Sequence, residues 1–138
     1  MAAFVVAAYM KGTPLIYNGQ EVGHAERVPF MGPRKTIAWT PNPALTAEYK
    51  QLIRFRNSSQ AVRTGALTSY SSDNVGAVTK TASKGQVLTL VNLRTAPVRY
   101  SVPAIVGLTG WRNAFDGKPA AMGHEVTLQP FQYLVYVK

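Results

Sequence analysis

The side chains of this sequence that could do chemistry are few, and the carboxylates come first. Hydrolysis of a glycosidic bond usually requires two carboxyl groups, one on each side of the bond. Glu21 and Glu26 are close in the chain, but their spacing does not fix the distance between the two carboxyl groups. Asp73 precedes Asn74, and Asp116 precedes Gly117. Aspartate side chains in Asp-Asn and Asp-Gly pairs stabilise turns, which explains both residues without a catalytic role. We therefore assign no catalytic residue among the carboxylates, which are Glu21, Glu26, Glu48, Asp73, Asp116 and Glu125.

Metal ligands and nucleophiles are equally scarce. The sequence has no cysteine, which excludes a disulfide framework, a thiolate metal site and a cysteine nucleophile. His24 and His124 have no companions at the spacing of metal ligands. No serine lies in a Gly-x-Ser-x-Gly elbow, and neither standard glycine-rich phosphate loop is present. The sequence predicts no metal and no cofactor.

The net charge of +9 raises the question of a nucleic-acid partner, because clustered Lys and Arg side chains neutralise phosphates. The basic residues are instead scattered along the chain, and the longest unbroken run is Arg34-Lys35. Basic and aromatic residues do not interleave as they do in platforms that stack bases. This distribution predicts a solvated basic surface and no nucleic-acid partner.

The first part of the chain alternates between helical and extended patterns. Residues 2–10 are apolar almost all round and stop before Gly12, which is typical of a buried helix and too short for the ~20 residues that span a bilayer. Residues 13–17 form a short apolar run, which predicts a strand buried on both faces of a parallel sheet. Residues 23–42 predict an irregular loop. A helix is predicted to start at Asn42-Pro43 and to end near Ser58.

From Leu67 onward the pattern changes to that of short strands separated by turn residues. Apolar and polar residues alternate strictly over residues 98–102, as in a strand with one wet face. Six or seven strands at this spacing predict an antiparallel sandwich or barrel, with a domain boundary near residue 65. The strand-like runs are residues 75–81, 86–93, 98–102, 110–115, 125–128 and 131–137.

The sharpest motif is residues 12–23, which read GTPLIYNGQEVG. It resembles the eighth barrel strand of the alpha-amylase family of glycoside hydrolases, whose pattern is Gly-x-Pro-x-(apolar)-Tyr-x-Gly-x-Glu. Residues 27–30 and 37–39 resemble the loop after that strand, and residues 45–65 resemble the final barrel helix. The resemblance is close up to Gly65 and extends to the rest of the chain by architecture.

The resemblance implies a (β/α)8 barrel followed by a Greek-key β domain, with alpha-linked glucans such as starch as substrates. The expected fold is mainly β, with an antiparallel Greek-key β-sandwich in residues 65–138 and a helix-strand-loop-helix remnant of the barrel in residues 1–64. The family's nucleophile, acid and third carboxylate lie on the fourth, fifth and seventh strands, which would precede Met1. We therefore expect the C-terminal part of an alpha-amylase-like enzyme, inactive by itself.

The residues that the resemblance carries over lie at the end of the eighth strand, which faces the active site in such barrels. The candidate substrate contacts at the rim of the glucan cleft are Tyr17, Asn18, Gln20, Glu21 and Arg27. Glu21 is expected to orient neighbouring groups and not to act as a catalyst. Packing inside the barrel is an equally good explanation for Tyr17.

A second hypothesis makes the β domain a carbohydrate-binding module. Trp111 is its candidate sugar platform, although a core position explains the same residue. The expected partners are an alpha-glucan, bound through the parent enzyme, and the rest of the barrel. Because a lone eighth strand leaves unpaired backbone groups, we expect residues 1 to about 40 to be mobile, to repack on the sandwich, or to self-associate.

Overall fold

A computed structural model of the chain describes residues 1–26, 29, 31–33 and 35–138. Within these residues most of the regular structure is antiparallel β, and the mainly-β fold expected from the sequence is confirmed. Short 3₁₀ turns lie at Gln20–Val22 and Ala104–Val106. The helices and strands are α1 (Ala2–Tyr9), α2 (Pro43–Ser58), α3 (Gln60–Thr64), β1 (Ala66–Ser69), β2 (Val75–Ala82), β3 (Gly85–Asn92), β4 (Val98–Ser101), β5 (Arg112–Asn113), β6 (Glu125–Leu128) and β7 (Tyr133–Val137).

Helix α2 has the bounds that its capping residues predict. The Asn42 side chain accepts a hydrogen bond from the Leu45 N–H at 3.2 Å, and Pro43 occupies the first helical position. The helix ends at Ser58, and Ser59 caps the short helix α3 by accepting from the Val62 N–H. Helix α3 was not predicted, because it is too short to show a helical period in the sequence.

The strands form a five-stranded sheet and a two-stranded sheet, and all their pairings are antiparallel. The larger sheet has the order β1-β2-β3-β7-β5, and the smaller one pairs β4 with β6. Strand β7 returns after β4 and β6 to lie beside β3, the return connection of a Greek key. The division of the chain into two domains near residue 65 stays a prediction.

Strand β3 serves two hydrophobic cores because its side chains alternate between the faces of the sheet. Leu88 and Leu90 pack into a core between the two sheets, together with Leu128. Val87 and Val91 point to the opposite face and pack into a core that α1 and α2 cover. The helices are therefore packed directly on the β-sheet.

The position of helix α1 bears on the expectation that residues 1 to about 40 are mobile, repack on the sandwich or self-associate. Phe4, Val5 and Tyr9 are buried in the same core as Tyr49 and Leu52 of α2. The Phe4 and Tyr49 rings meet edge to face with centroids 4.6 Å apart, a favourable arrangement for aromatic pairs. The structure shows α1 packed on the sheet, whereas mobility and self-association stay predictions.

The strand predicted at residues 13–17 is not formed. No described strand pairs with this segment, and the Leu15 and Tyr17 side chains are 79% and 60% exposed. A strand that is buried on both faces needs a neighbouring strand on each edge to pair its backbone groups. The described part of the chain supplies neither neighbour, so the prediction of a buried strand is corrected here. The predicted run at 110–115 is likewise reduced to β5, two residues long.

Candidate functional site

Four of the sequence-predicted site residues, Tyr17, Asn18, Gln20 and Glu21, lie on a compact turn, residues 17–23, which we call the rim turn. The Gln20 N–H donates to the Tyr17 carbonyl at 2.9 Å, and the Tyr17 N–H donates to Oε1 of Gln20 at 3.0 Å. Gly19 has a φ of 86°, a conformation that glycine adopts without steric cost. A Cβ at Gly19 would also lie 2.9 Å from side-chain carbons of His24 and Ile37. Glycine at position 19 is thus required by both conformation and space.

The rim turn is attached to the first half of α2. The Thr46 hydroxyl donates to the Glu21 carbonyl at 2.9 Å. Tyr49 lies near the turn. Burial raises the pKa of the Tyr49 hydroxyl above its ordinary value, and a hydrogen bond with Gln20 offsets only part of this increase. Helix α2 therefore positions the turn, and its own start is fixed by Asn42.

Within the rim turn the candidate side chains differ in their exposure. Tyr17 and Asn18 are exposed, whereas Gln20 and Glu21 are half-buried. Oε2 of Glu21 is buried and has no hydrogen-bond partner among the described residues. A buried carboxylate oxygen normally accepts hydrogen bonds, so this atom is a ready acceptor for an N–H or a hydroxyl group.

The fifth candidate, Arg27, lies outside the described residues. The structure thus brings four of the five predicted rim residues together on one turn. Their contact with substrate stays a prediction. No three His, Cys, Asp or Glu side chains form a group that could hold a metal ion in the described part of the chain. In the same part, no helix has the length and apolar character needed to cross a membrane.

Two cations hold the end of α1, just before the rim turn, and sequence reasoning missed this role. Arg56 donates from Nη1 to the Ala8 carbonyl at 3.0 Å and from Nη2 to the Gly12 carbonyl at 2.8 Å. Lys80 of β2 donates to the Met10 carbonyl at 3.2 Å and to the Val62 carbonyl. The last carbonyls of a helix lack partners within the helix, and these side chains satisfy them.

Lys80 is 4% exposed, which is rare for a lysine without a paired carboxylate. Burial lowers the pKa of the Lys80 ammonium, and the nearby cations Arg56 and Lys11 lower it further. The sequence contained a signal for this unusual lysine, because the charged Lys80 interrupts the β-prone run that forms β2. Arg56 lies in the last turn of its own helix, α2, but its guanidinium caps α1.

The candidate sugar platform Trp111 is a core residue. Its side chain is 2% exposed, and its Nε1–H donates to the Gly107 carbonyl at 2.9 Å. The Lys138 ammonium lies 5.5 Å from the ring centroid, which is within the range of a cation–π contact. A sugar platform needs an accessible ring face, so the candidate is corrected to the core alternative. The exposed aromatic residues of the described chain are Tyr17, Trp39 and Phe131.

The combination of a helix, a rim turn, a second helix and a two-sheet antiparallel domain defines a class of protein. It is the fold of the C-terminal region of alpha-amylase family enzymes. Trehalulose synthase MutB from Pseudomonas mesoacidophila MX-45 has this fold, with a TM-score of 0.75 and 20% identity over 99% of this chain. The match covers 38% of the synthase, so our chain spans well under half of that protein's length.

A second enzyme of the same class matches a smaller part of the chain. A mutant of trehalose-6-phosphate hydrolase TreA from Bacillus licheniformis aligns with a TM-score of 0.56 and 17% identity, over 67% of this chain and 18% of its own. These likenesses confirm the predicted resemblance in fold. No protein-family model matches the sequence, and no curated protein sequence matches it.

Proposed function

We propose that this chain is the C-terminal part of an alpha-amylase-like glycoside hydrolase that acts on alpha-glucans. The observation that carries the proposal is the structural match to trehalulose synthase, which runs through 99% of the chain. It includes the helices and the rim turn as well as the β-sheets. The sequence motif of residues 12–23, which contains the rim turn, supports the same assignment.

The proposed role of the β domain is to support the barrel. Its sheet shares a core with α1 and α2, and the Tyr133 hydroxyl of β7 donates to Oε1 of Glu48 in α2 at 2.7 Å. Burial raises the pKa of Tyr133, and the hydrogen bond to Glu48 raises it further, so this hydroxyl remains a donor at neutral pH. The contacts run from sheet to helix, and from the helix to the rim turn through Thr46.

The proposed substrate contacts are Tyr17, Asn18, Gln20, Glu21 and Arg27, at the rim of the parent's cleft. Tyr17 and Asn18 are exposed, and Oε2 of Glu21, which is buried, has no hydrogen-bond partner among the described residues. A mutant of the trehalulose synthase has been solved in complex with the substrate sucrose, a small alpha-glucoside. By extension from this substrate, the proposed substrates of the parent enzyme are alpha-linked glucose units in starch-type chains or maltooligosaccharides.

The proposal has a direct test with the chain as it stands. The isolated chain, incubated with soluble starch or maltooligosaccharides, should release no reducing sugar. The coding sequence upstream of Met1 should encode further strand-helix units, with carboxylates at the ends of three of their strands. Rapid hydrolysis by the isolated chain, or an upstream sequence without a barrel, would overturn the proposal.

A further inference from the structure

The rim turn contains the one Asn-Gly pair of the sequence, Asn18-Gly19. An asparagine side chain can react with the backbone nitrogen of the residue that follows it, and glycine hinders this attack least because it has no Cβ. The Asn18 side chain is exposed. Among the described residues, no hydrogen bond engages the Asn18 amide or the Gly19 N–H. Both reacting groups are therefore free.

The chain is held differently on the two sides of this pair. The Gly19 carbonyl accepts from the Val22 N–H at 3.2 Å and from the His24 N–H at 2.9 Å, which keeps Gly19 in its buried position. Residues 13–17, on the other side, pair with no described strand. The reaction requires a rotation about the bond between Cα and the carbonyl carbon of Asn18. The chain before Asn18 can make this rotation while Gly19 stays in place, because local opening needs the least energy where few contacts hold the backbone.

Each of the other five asparagines is protected by its surroundings. Asn42 precedes Pro43, which has no N–H to react. Asn92 is fully buried and donates to backbone carbonyls on both sides of it. The remaining three are held by a helix or by a hydrogen bond to their own Oδ1, and they are Asn57 in α2, Asn74 and Asn113. The structure thus singles out Asn18.

We propose that Asn18 is a site of spontaneous deamidation, a covalent modification of the rim turn in the folded chain. The Gly19 nitrogen attacks Cγ of Asn18 and forms a new N–Cγ bond. The Cγ–Nδ2 bond breaks, and Nδ2 leaves as ammonia with the proton that the Gly19 nitrogen gives up. Water then opens the cyclic imide. Cleavage of the new N–Cγ bond gives aspartate, whereas cleavage between the nitrogen and the backbone carbonyl carbon gives isoaspartate.

The modification changes both the charge and the shape of the rim turn. An amide donates two hydrogen bonds, whereas the carboxylate that replaces it is negatively charged and only accepts. Isoaspartate also adds a carbon to the backbone between Tyr17 and Gly19, which disrupts the 2.9 Å hydrogen bond from the Gln20 N–H to the Tyr17 carbonyl. Deamidation therefore weakens substrate binding at the rim of the parent's cleft. This consequence rests on the proposed function, whereas the modification itself does not.

The test incubates the folded whole chain in mildly alkaline buffer, which helps the attacking nitrogen to lose its proton. A synthetic peptide of residues 12–27, the same fragment that trypsin releases from the chain, is incubated beside it. Tryptic digestion and mass spectrometry with fragmentation then identify aspartate and isoaspartate at each position. Asn18 of the folded chain should convert while the free peptide converts, with isoaspartate as the main product. Asn57 and Asn74 should remain unmodified over the same period.

Asn18→Gln is the matched control. Its side chain keeps the amide but is one methylene longer, so the ring that would have to close is larger, and the fragment should keep its mass. Persistence of Asn18 in the folded chain after the free peptide has fully converted would overturn the proposal. Earlier conversion of another asparagine, or the same change of mass in Asn18→Gln, would overturn it as well. None of these outcomes affects the proposed function, which the reducing-sugar assay and the upstream coding sequence test separately.

Discussion

At the scale of single residues, the buried cation Lys80 most clearly links the β-sheet to the candidate site. It donates to carbonyls of α3 and of the chain just after α1, and it does so from the middle of β2. With Arg56, it holds the chain at the point where it leaves α1 for the rim turn. A cation facing helix-terminal carbonyls is also favoured by the helix dipole.

Replacing Lys80 should therefore loosen this junction. Lys80→Met keeps most of the side-chain volume but leaves two carbonyls without their donor, which should lower the free energy of unfolding by about 1–3 kcal/mol. Urea denaturation measures this change. Lys84→Met, at an exposed lysine in the β2–β3 turn, should change stability little. Equal effects of the two substitutions would contradict the capping role.

The same residue predicts a dependence of stability on pH. The pKa of Lys80 in the folded chain lies below its usual value of 10.5, mainly because the side chain is buried. Between the folded pKa and 10.5, the unfolded chain binds more protons, so the contribution of Lys80 to stability increases as the pH rises. The stability difference between wild type and Lys80→Met should therefore grow on approaching pH 10.5. A difference that shrinks over this range would show that the pKa is not lowered.

At the scale of elements, the rim turn depends on its glycines and on α2. Gly19 of the rim turn and Gly12, which precedes the turn, both have positive φ, but of these two only Gly19 lies against neighbouring side chains. Substitutions at the two positions therefore distinguish the effect of backbone strain from the effect of close packing.

Gly19→Ala should destabilise the chain more than Gly12→Ala. Both alanines adopt an unfavourable φ, which costs about 1 kcal/mol or more, and the Gly19 variant must also displace His24 and Ile37. Thermal unfolding of the two variants measures the difference. A Gly12→Ala change that is at least as costly would show that the contacts around Gly19 do not matter.

At the scale of the whole molecule, the helices and the larger sheet share one core, while residues 13–17 remain outside it. Val5 of α1, Leu52 of α2 and Val135 of β7 are buried together. Burial of apolar surface between them stabilises all of these elements at once. The segment after α1 has no such partners among the described residues.

Hydrogen exchange should separate these two parts of the chain. The amides of α1 should be protected to a degree similar to those of β3, because both contribute to the same core. Residues 13–17 should exchange far faster, since no strand pairs with them. Strong protection of residues 13–17 in a concentrated sample, lost on dilution, would instead indicate pairing with a second copy.

Much of the fold could be predicted from the sequence because local chemistry specifies it. Asn42 and Pro43 mark the start of α2, and the alternation over residues 98–102 marks β4. The rim turn could also be predicted from the motif around Gly19. The role of Arg56 could not, since its partners Ala8 and Gly12 are far away in the chain.

By itself, the sequence determined the types of most elements, the absence of cysteine chemistry and the resemblance of residues 12–23 to a barrel strand. Only the tertiary structure decided that Trp111 is buried, that Phe131 is exposed in a left-handed conformation, and that residues 13–17 lack strand partners. The reason is physical. Propensities and caps act between residues that are close in the chain, whereas burial and strand pairing depend on groups that folding brings together from far apart.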